Sequence, residues 1–123
     1  IDNAKGDWDS ATRELFGPVI TIVHVDTLAE AMEYENSNPY GNATSVFTSS
    51  GAVAQYVSAH ATSGMVGVNI GVPVPREPFS FGGSKDSRFG VGDMTGTGGV
   101  ELWSYTQKIT TKWELQPDAT WMS

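Results

Sequence analysis

Apolar positions along this chain alternate between two periods. The β-branched run Val19-Ile20-Thr21-Ile22-Val23, continuing to Val25, is too uniformly apolar to alternate, and it predicts a strand over 19–25 buried on both faces. Behind it, Thr27 and Glu30 form a T-x-x-E capping box, and Leu28, Ala31 and Met32 fall at helical spacing, which predicts a helix over 28–36. Asn38-Pro39 ends it, because the residue before a proline avoids the helical region. Residues 38–41 then read as a turn and 44–48 as a short strand. Ser50 caps a second helix that places Val53, Tyr56, Val57 and His60 on one face. Ser63-Gly64 turns the chain into a third strand over 65–70. Strand, helix, strand, helix, strand predicts the α/β class, a βαβαβ unit with a parallel sheet. Ligands on such sheets gather outside the carboxyl ends of the strands, so the loop after Asn69 is one place for a site.

After the third strand the pattern changes. Residues 72–78 carry three prolines, which suits a stiff wall, a partner-binding extended segment or a plain connector. Seven glycines between Gly82 and Gly99 predict a long irregular span. Gly90-Val91-Gly92 is not read as a dinucleotide fingerprint, since no strand precedes it and position 95 is not glycine. From 105 to 113 the chain alternates, with Tyr105, Gln107, Ile109, Thr111 and Trp113 on one face, a period-2 strand that must find a sheet edge in its own chain or in another. The expected division is an α/β body over 1–100 and a strand with tail over 101–123. Residues 1–12 are polar and turn-rich, a loop or frayed start anchored only by Trp8, and 114–123 should wrap or fray.

Composition narrows the function. At 123 residues and 39% hydrophobic, the chain is expected to bury one core as a single globular unit. A net charge of −7 argues against nucleic-acid and anionic-membrane partners, both of which need clustered Lys and Arg. No apolar run approaches the ~20 residues of a bilayer span and the polar N-terminus is no signal peptide, so a soluble intracellular setting is expected. Absence of cysteine removes disulfides, thiolate metal sites and any thiol nucleophile from these residues. His24 at a strand exit and His60 in a last helical turn read as structural, and no metal is expected. The sequon at Asn42-Ala43-Thr44 is read as chance. The chain opens at Ile1 rather than Met and is expected to be a piece of something larger.

Candidate chemistry stands just before the first apolar run. In Glu14-Leu15-Phe16-Gly17-Pro18 the Gly-Pro pair fixes a turn and aims Glu14 and Phe16, a carboxylate and an aromatic ring suited to a ligand with hydroxyls and a flat ring. A solvated acid and a core plug fit the same residues. Lys85 and Arg88 could hold a phosphate or carboxylate, or be solvated charges.

Five segments in order add to this reading. Glu14-Leu15-Phe16-Gly17-Pro18 resembles the E-x-F-G-P motif of the aldehyde dehydrogenase superfamily. Asn38-Pro39-Tyr40-Gly41-Asn42 with Ser45-Val46-Phe47-Thr48, Val68-Asn69, Phe81-Gly82-Gly83-Ser84-Lys85-Asp86-Ser87 and the strand over 105–113 are similar to that superfamily's later segments. The resemblance runs from about Arg13 to Trp113. The V-P-V-P-x-x-x-F-S-F stretch from Val72 to Phe81 is most similar to the methylmalonate- or malonate-semialdehyde dehydrogenase branch.

This resemblance implies the C-terminal part of a dehydrogenase catalytic domain, ending in an oligomerisation strand. It implies NAD-dependent oxidation of methylmalonate or malonate semialdehyde with acyl transfer to coenzyme A, a step of valine degradation. Glu14 would bind the nicotinamide ribose, Phe16 would pack on the nicotinamide ring, and Phe81 and Phe79 would line the aldehyde tunnel. The family's catalytic cysteine, oxyanion asparagine and phosphate site lie upstream of its first motif here, so no catalytic residue is assigned and the segment alone should be inert. Partners would be the semialdehyde, the rest of the chain and further copies in a dimer or tetramer, in bacterial cytoplasm or mitochondrial matrix. Departures are Arg88, where many members have glycine, and a looser stretch from Gly90 to Gly99; Arg76 is not assigned to the substrate carboxylate. The competing reading is a non-catalytic assembly module that stands alone and pairs through its last strand.

Overall fold

In the computed structural model, residues 1–113 are described. The expectation for 114–123 lies outside the described residues. The chain is mixed α/β with a parallel pair of strands at its centre.

Helix α1 spans Asp9–Thr12 and α2 spans Leu28–Ser37. The capping box before α2 is formed: Glu30 N donates to Thr27 Oγ1 at 3.2 Å, and Glu30 Oε2 accepts from Thr27 N at 3.3 Å. This satisfies donors that a helix start otherwise leaves unpaired. The helix stops at Asn38, whose extended backbone (φ −61, ψ 134) is what Pro39 imposes.

Strand β1, Tyr40–Gly41, precedes β2, Ala43–Val46; α3, Gly51–His60, then leads into β3, Met65–Val68. β2 and β3 are parallel, in register Ala43 with Met65 through Val46 with Val68. Ser50 Oγ accepts from Val53 N at 3.4 Å to cap α3, and Val57, 3% exposed, seals that helix on the chain body. His60 stacks on Tyr56 with ring centroids 4.2 Å apart, and its Nδ1 lies 2.8 Å from the Tyr56 carbonyl, a structural role.

Residues 38–41 turn only at Asn38-Pro39, where Tyr40 N donates to Asn38 Oδ1 at 2.9 Å. Tyr40–Gly41 then pairs antiparallel with β4, Ser84–Lys85, matching Tyr40 with Lys85 and Gly41 with Ser84. Three segments converge here. Gly64 N donates to Gly41 O at 2.9 Å, and Ser84 Oγ donates to Gly41 O at 3.1 Å and to Thr62 O at 2.7 Å.

Four expectations need correction. The run 19–25 is not a strand buried on both faces: Ile20 is 76% exposed, and Val19, Ile22 and Val25 are also exposed. Apart from the local turn at Gly17, its backbone bonds run to the first four residues, through the Ile1 amine on Ile20 O at 2.8 Å, Ile22 N on Ile1 O at 2.8 Å and Ala4 N on Ile22 O at 3.0 Å. A buried strand needs neighbours on both edges, and the described residues supply neither a ladder nor a cover.

Residues 1–12 are consequently not a loose start. Ala4 is buried, 9–12 are helical, and Trp8 is an exposed cap position rather than the anchor.

The glycine-rich span contains α4, Gly96–Leu102, where an irregular path was expected. Ser80 Oγ donates to Thr95 O at 2.7 Å and accepts from Gly98 N at 3.2 Å, while Thr97 N donates to Pro78 O at 3.1 Å. These tertiary bonds override poor intrinsic helix propensity.

The alternating segment 105–113 is in no strand pairing among the described residues, with Tyr105, Ile109 and Trp113 exposed. Nor do the described residues form a single well-packed core: among them the buried apolar residues are Ala4, Met32 and Val57. The chain exposes 10143 Å². A self-contained globular chain of this mass would expose about 6,400 Å².

Candidate functional site

A cavity of about 590 Å³ lies where three parts of the chain meet. Arg13 and Glu14 form one wall, following directly on α1. Asn38, Tyr40 and Asn42 form the second, at the end of α2 and along β1. Asp86, Ser87 and Phe89 form the third, just past β4.

The first wall is placed by local sequence. Arg13 leaves α1 in an extended conformation, and its guanidinium sits 3.2 Å from Asp9. Gly17 N donates to Leu15 O at 3.0 Å and Val19 N to Gly17 O at 2.8 Å, two successive three-residue turns around Gly17-Pro18. Glu14 is among the residues that line the cavity. Phe16 is 96% exposed and is not among the lining residues. Phe79 and Phe81, 71% and 45% exposed, are also away from it; Phe81 N donates to Thr95 Oγ1 at 2.9 Å. The structure thus brings Glu14 to a cavity and leaves the three aromatics on the surface.

The other two walls have no local signature. They meet through the pairing of β1 with β4, reinforced by Asp86 N on Pro39 O at 3.0 Å and Gly41 N on Ser87 Oγ at 3.1 Å. Asn38, Tyr40, Asn42, Asp86 and Ser87 were quoted in motifs without being assigned to a site. Only the resemblance of the segments that contain them to the family's motifs could have pointed to them.

The two candidate cations are held by the chain itself. Lys85 Nζ donates to Asn36 O at 2.9 Å and Asn38 O at 3.0 Å, while Arg88 Nη2 donates to Gly92 O at 2.7 Å and lies 3.5 Å from Asp93.

Beside the cavity, Glu35 ties α2 to β2 and to the turn that precedes β3. Its Oε1 accepts from Thr44 Oγ1 at 2.8 Å, Ser63 N at 3.2 Å and Ser63 Oγ; Oε2 accepts from Thr62 N at 3.1 Å. Partial burial by itself raises its pKa, but the hydrogen bonds from Ser63, Thr44 and Thr62 outweigh that and leave the carboxyl below its ordinary value. Asp2 is likewise lowered, first by its hydrogen bond with His24 at 2.7 Å. Among the described residues no three His, Cys, Asp or Glu side chains are grouped to hold a metal ion.

Similarity to known proteins is extensive along this chain. A family model described as the aldehyde dehydrogenase family matches residues 1–109. A probable methylmalonate-semialdehyde/malonate-semialdehyde dehydrogenase (acylating, mitochondrial) of Dictyostelium discoideum is 46% identical over 100 residues, 81% of this chain and 19% of that protein. The crystal structure of methylmalonate-semialdehyde dehydrogenase from Oceanimonas doudoroffii superposes with a TM-score of 0.89 at 37% identity, over 94% of this chain and 24% of that one. A putative methylmalonate-semialdehyde dehydrogenase from Sinorhizobium meliloti 1021, solved in complex with NAD, gives 0.89 at 36% identity, over 94% and 23%. The chain spans about a fifth of the length of the curated relatives it matches.

Proposed function

This chain belongs to the aldehyde dehydrogenase family, and from that premise we propose that it is the C-terminal part of an NAD-dependent dehydrogenase that converts methylmalonate or malonate semialdehyde to an acyl-coenzyme A. The observation that carries the reading is the exposed surface. The 10143 Å² exceeds what a self-contained chain of this mass shows by several times the ~800 Å² that one partner loses in an ordinary interface. Exposed Phe16, Ile20 and Ile22 are apolar groups that need cover from elsewhere, and a polypeptide about five times as long, as in the relatives, is able to supply it. That favours a segment of a larger enzyme over a module that stands alone, whose apolar run 19–25 would remain open to water and to aggregation.

The residues present suit the cofactor. A carboxylate accepts hydrogen bonds from both hydroxyls of a diol, and Glu14 offers one at a cavity whose other lining residues include Arg13, Asn38, Tyr40, Asn42, Asp86 and Ser87. Phe16 presents a free ring face two residues on, suited to packing against a nicotinamide. NAD, when bound, supplies the hydride acceptor. What these residues do is bind and orient: Glu14 holds the ribose, Phe16 flanks the ring, and Phe79 and Phe81 add apolar wall to the aldehyde's path. With no cysteine among its 123 residues, the segment brings no thiol nucleophile and is inert alone. Residues 1–100 serve as catalytic-domain body, and 105–113 within the remaining 101–123 serve as an intersubunit strand in a dimer or tetramer. The enzyme works in bacterial cytoplasm or mitochondrial matrix; no helix among the described residues is long and apolar enough to cross a membrane.

The test is Glu14→Gln in the full-length enzyme. A neutral amide keeps one acceptor and loses the charge assistance, so the dissociation constant for NAD is expected to rise about tenfold, measured by quenching of protein fluorescence. An unchanged constant overturns the assignment of Glu14.

A further inference from the structure

We infer that Lys85 is a positioning residue for the cavity that Glu14 faces: its ammonium ties the end of α2 to β4, and so holds the cavity's walls in register. The inference rests on reading that cavity as part of the cofactor site.

Three observations carry it. The first is the backbone. Lys85 has φ of +52, the left-handed region that a side chain disfavours and glycine adopts freely. A glycine would relieve that cost, so the lysine side chain is kept where the backbone opposes it, and a strained residue of this kind points to a role for its side chain.

The second is where the ammonium goes. It donates to Asn36 O and Asn38 O, carbonyls that the end of α2 leaves without intrahelical partners, at the negative end of the helix dipole. Two of its three donors are thereby engaged by the chain's own backbone.

The third is what Asn38 holds in turn. Its Nδ2 donates to Ala11 O at 3.1 Å, two residues before the Arg13-Glu14 wall, and its Oδ1 accepts from Tyr40 N at 2.9 Å at the start of β1. A continuous set of bonds therefore runs from the β4 wall through Lys85 to Asn38, and from Asn38 to the other two walls. Removing the ammonium frees the Asn38 carbonyl and lets the Asn38-Tyr40 wall shift against Glu14, although Lys85 is not itself among the residues lining the cavity.

The experiment uses the full-length enzyme with Lys85→Met, Lys85→Arg, Glu14→Gln and the double variant Lys85→Met/Glu14→Gln. Binding of NAD is read by fluorescence quenching, turnover by NADH formation, and folding by the thermal midpoint. Lys85→Met is expected to raise the NAD dissociation constant about fivefold, with kcat at saturating NAD within about twofold. Lys85→Arg, which keeps a cationic donor, is expected to return the constant to within about twofold of the parent. Because Lys85 acts through the Glu14 cavity, Lys85→Met added to Glu14→Gln should weaken binding by less than about twofold more.

If Glu14→Gln weakens NAD binding while Lys85→Met changes only the thermal midpoint, Lys85 is merely structural and the inference fails. If Glu14→Gln leaves NAD binding unchanged, the cofactor reading of the cavity fails, and the inference with it. Should Lys85→Met not accumulate as folded enzyme, Asn38→Ala cuts the same set of bonds at its next link and must weaken NAD binding likewise; an unchanged constant there also overturns the inference.

Discussion

Alanine at Gly64 is expected to destabilise the full-length protein by about 3–5 kcal/mol, because the added methyl has nowhere to go. A Cβ built on Gly64 falls 1.9 Å from Gly83 N and 2.6 Å from Gly83 Cα, so the obstacle is backbone rather than a side chain that can rotate away. The contact is reciprocal: a Cβ on Gly82 falls 2.4 Å from Gly64 O. To admit the methyl, the chain before β3 must separate from the chain before β4. That strains the Ser84 Oγ bond to Thr62 O and the pairing of Gly41 with Ser84. Gly51→Ala is the control, since Gly51 opens α3 with nothing within 4 Å of its built Cβ. There alanine should be neutral or stabilising by up to ~1 kcal/mol, through helix propensity and a less flexible unfolded chain. Urea unfolding of both variants beside the parent checks the pair. Equal losses at the two glycines would mean that the close approach of 64 to 82–83 is not a real constraint.

The second large effect belongs to Glu35. Glu35→Ala removes the acceptor for Thr44 Oγ1, Thr62 N and Ser63 N at once. Hydrogen bonds to a charged group are worth about 1.5–3 kcal/mol each when dry, but water reaches this site and takes over part of their work, so a total near 2–3 kcal/mol is expected. The sign with pH follows from the lowered pKa. The unfolded chain takes up a proton at this position more readily than the folded one, so the contribution of Glu35 is fully present above the ordinary glutamate pKa. It is lost as pH falls through the lowered folded value. Glu35→Gln should therefore differ most from the parent near neutrality, and the difference should shrink as the pH drops below about 4. The other carboxylates titrate in both proteins and cancel in the comparison. A difference in urea midpoint that stays constant from pH 7 to the acid limit would show that the charge of Glu35 contributes nothing.

What the sequence made legible follows the reach of the signals. α2 and α3 are written in caps and spacing within ten residues, and both form with the predicted caps. β2 and β3 sit beside them and pair in parallel as expected. The turn at Gly17-Pro18 is local too and forms, although Phe16, which it was expected to aim, lies on the surface. The run 19–25 failed because its β-branched composition reports what such a segment wants, while its neighbours decide what it gets. β1 and β4 are two residues each and lie 43 positions apart at Gly41 and Ser84, too short to show a period and too distant to show a turn. The cavity walls beyond Glu14 depend on that pairing and were hidden with it. α4 was missed for the opposite reason: its glycines argue against a helix, and Ser80 and Thr95, fifteen residues apart, outvote them.

The span that β1 must cross also sets an order of assembly. β2 and β3 close over α3 alone, a short loop with a small entropic cost, and Gly64 N can already take Gly41 O when they do. Ser84 and Lys85 leave the ribosome later and must return across the longer gap before β1 gains its partner and α2 its last hydrogen-bond donors. A nascent chain would thus carry its βαβ unit first and join Asn38, Tyr40 and Asp86 afterwards. The cavity beside Glu14 is therefore completed only after the βαβ unit has closed.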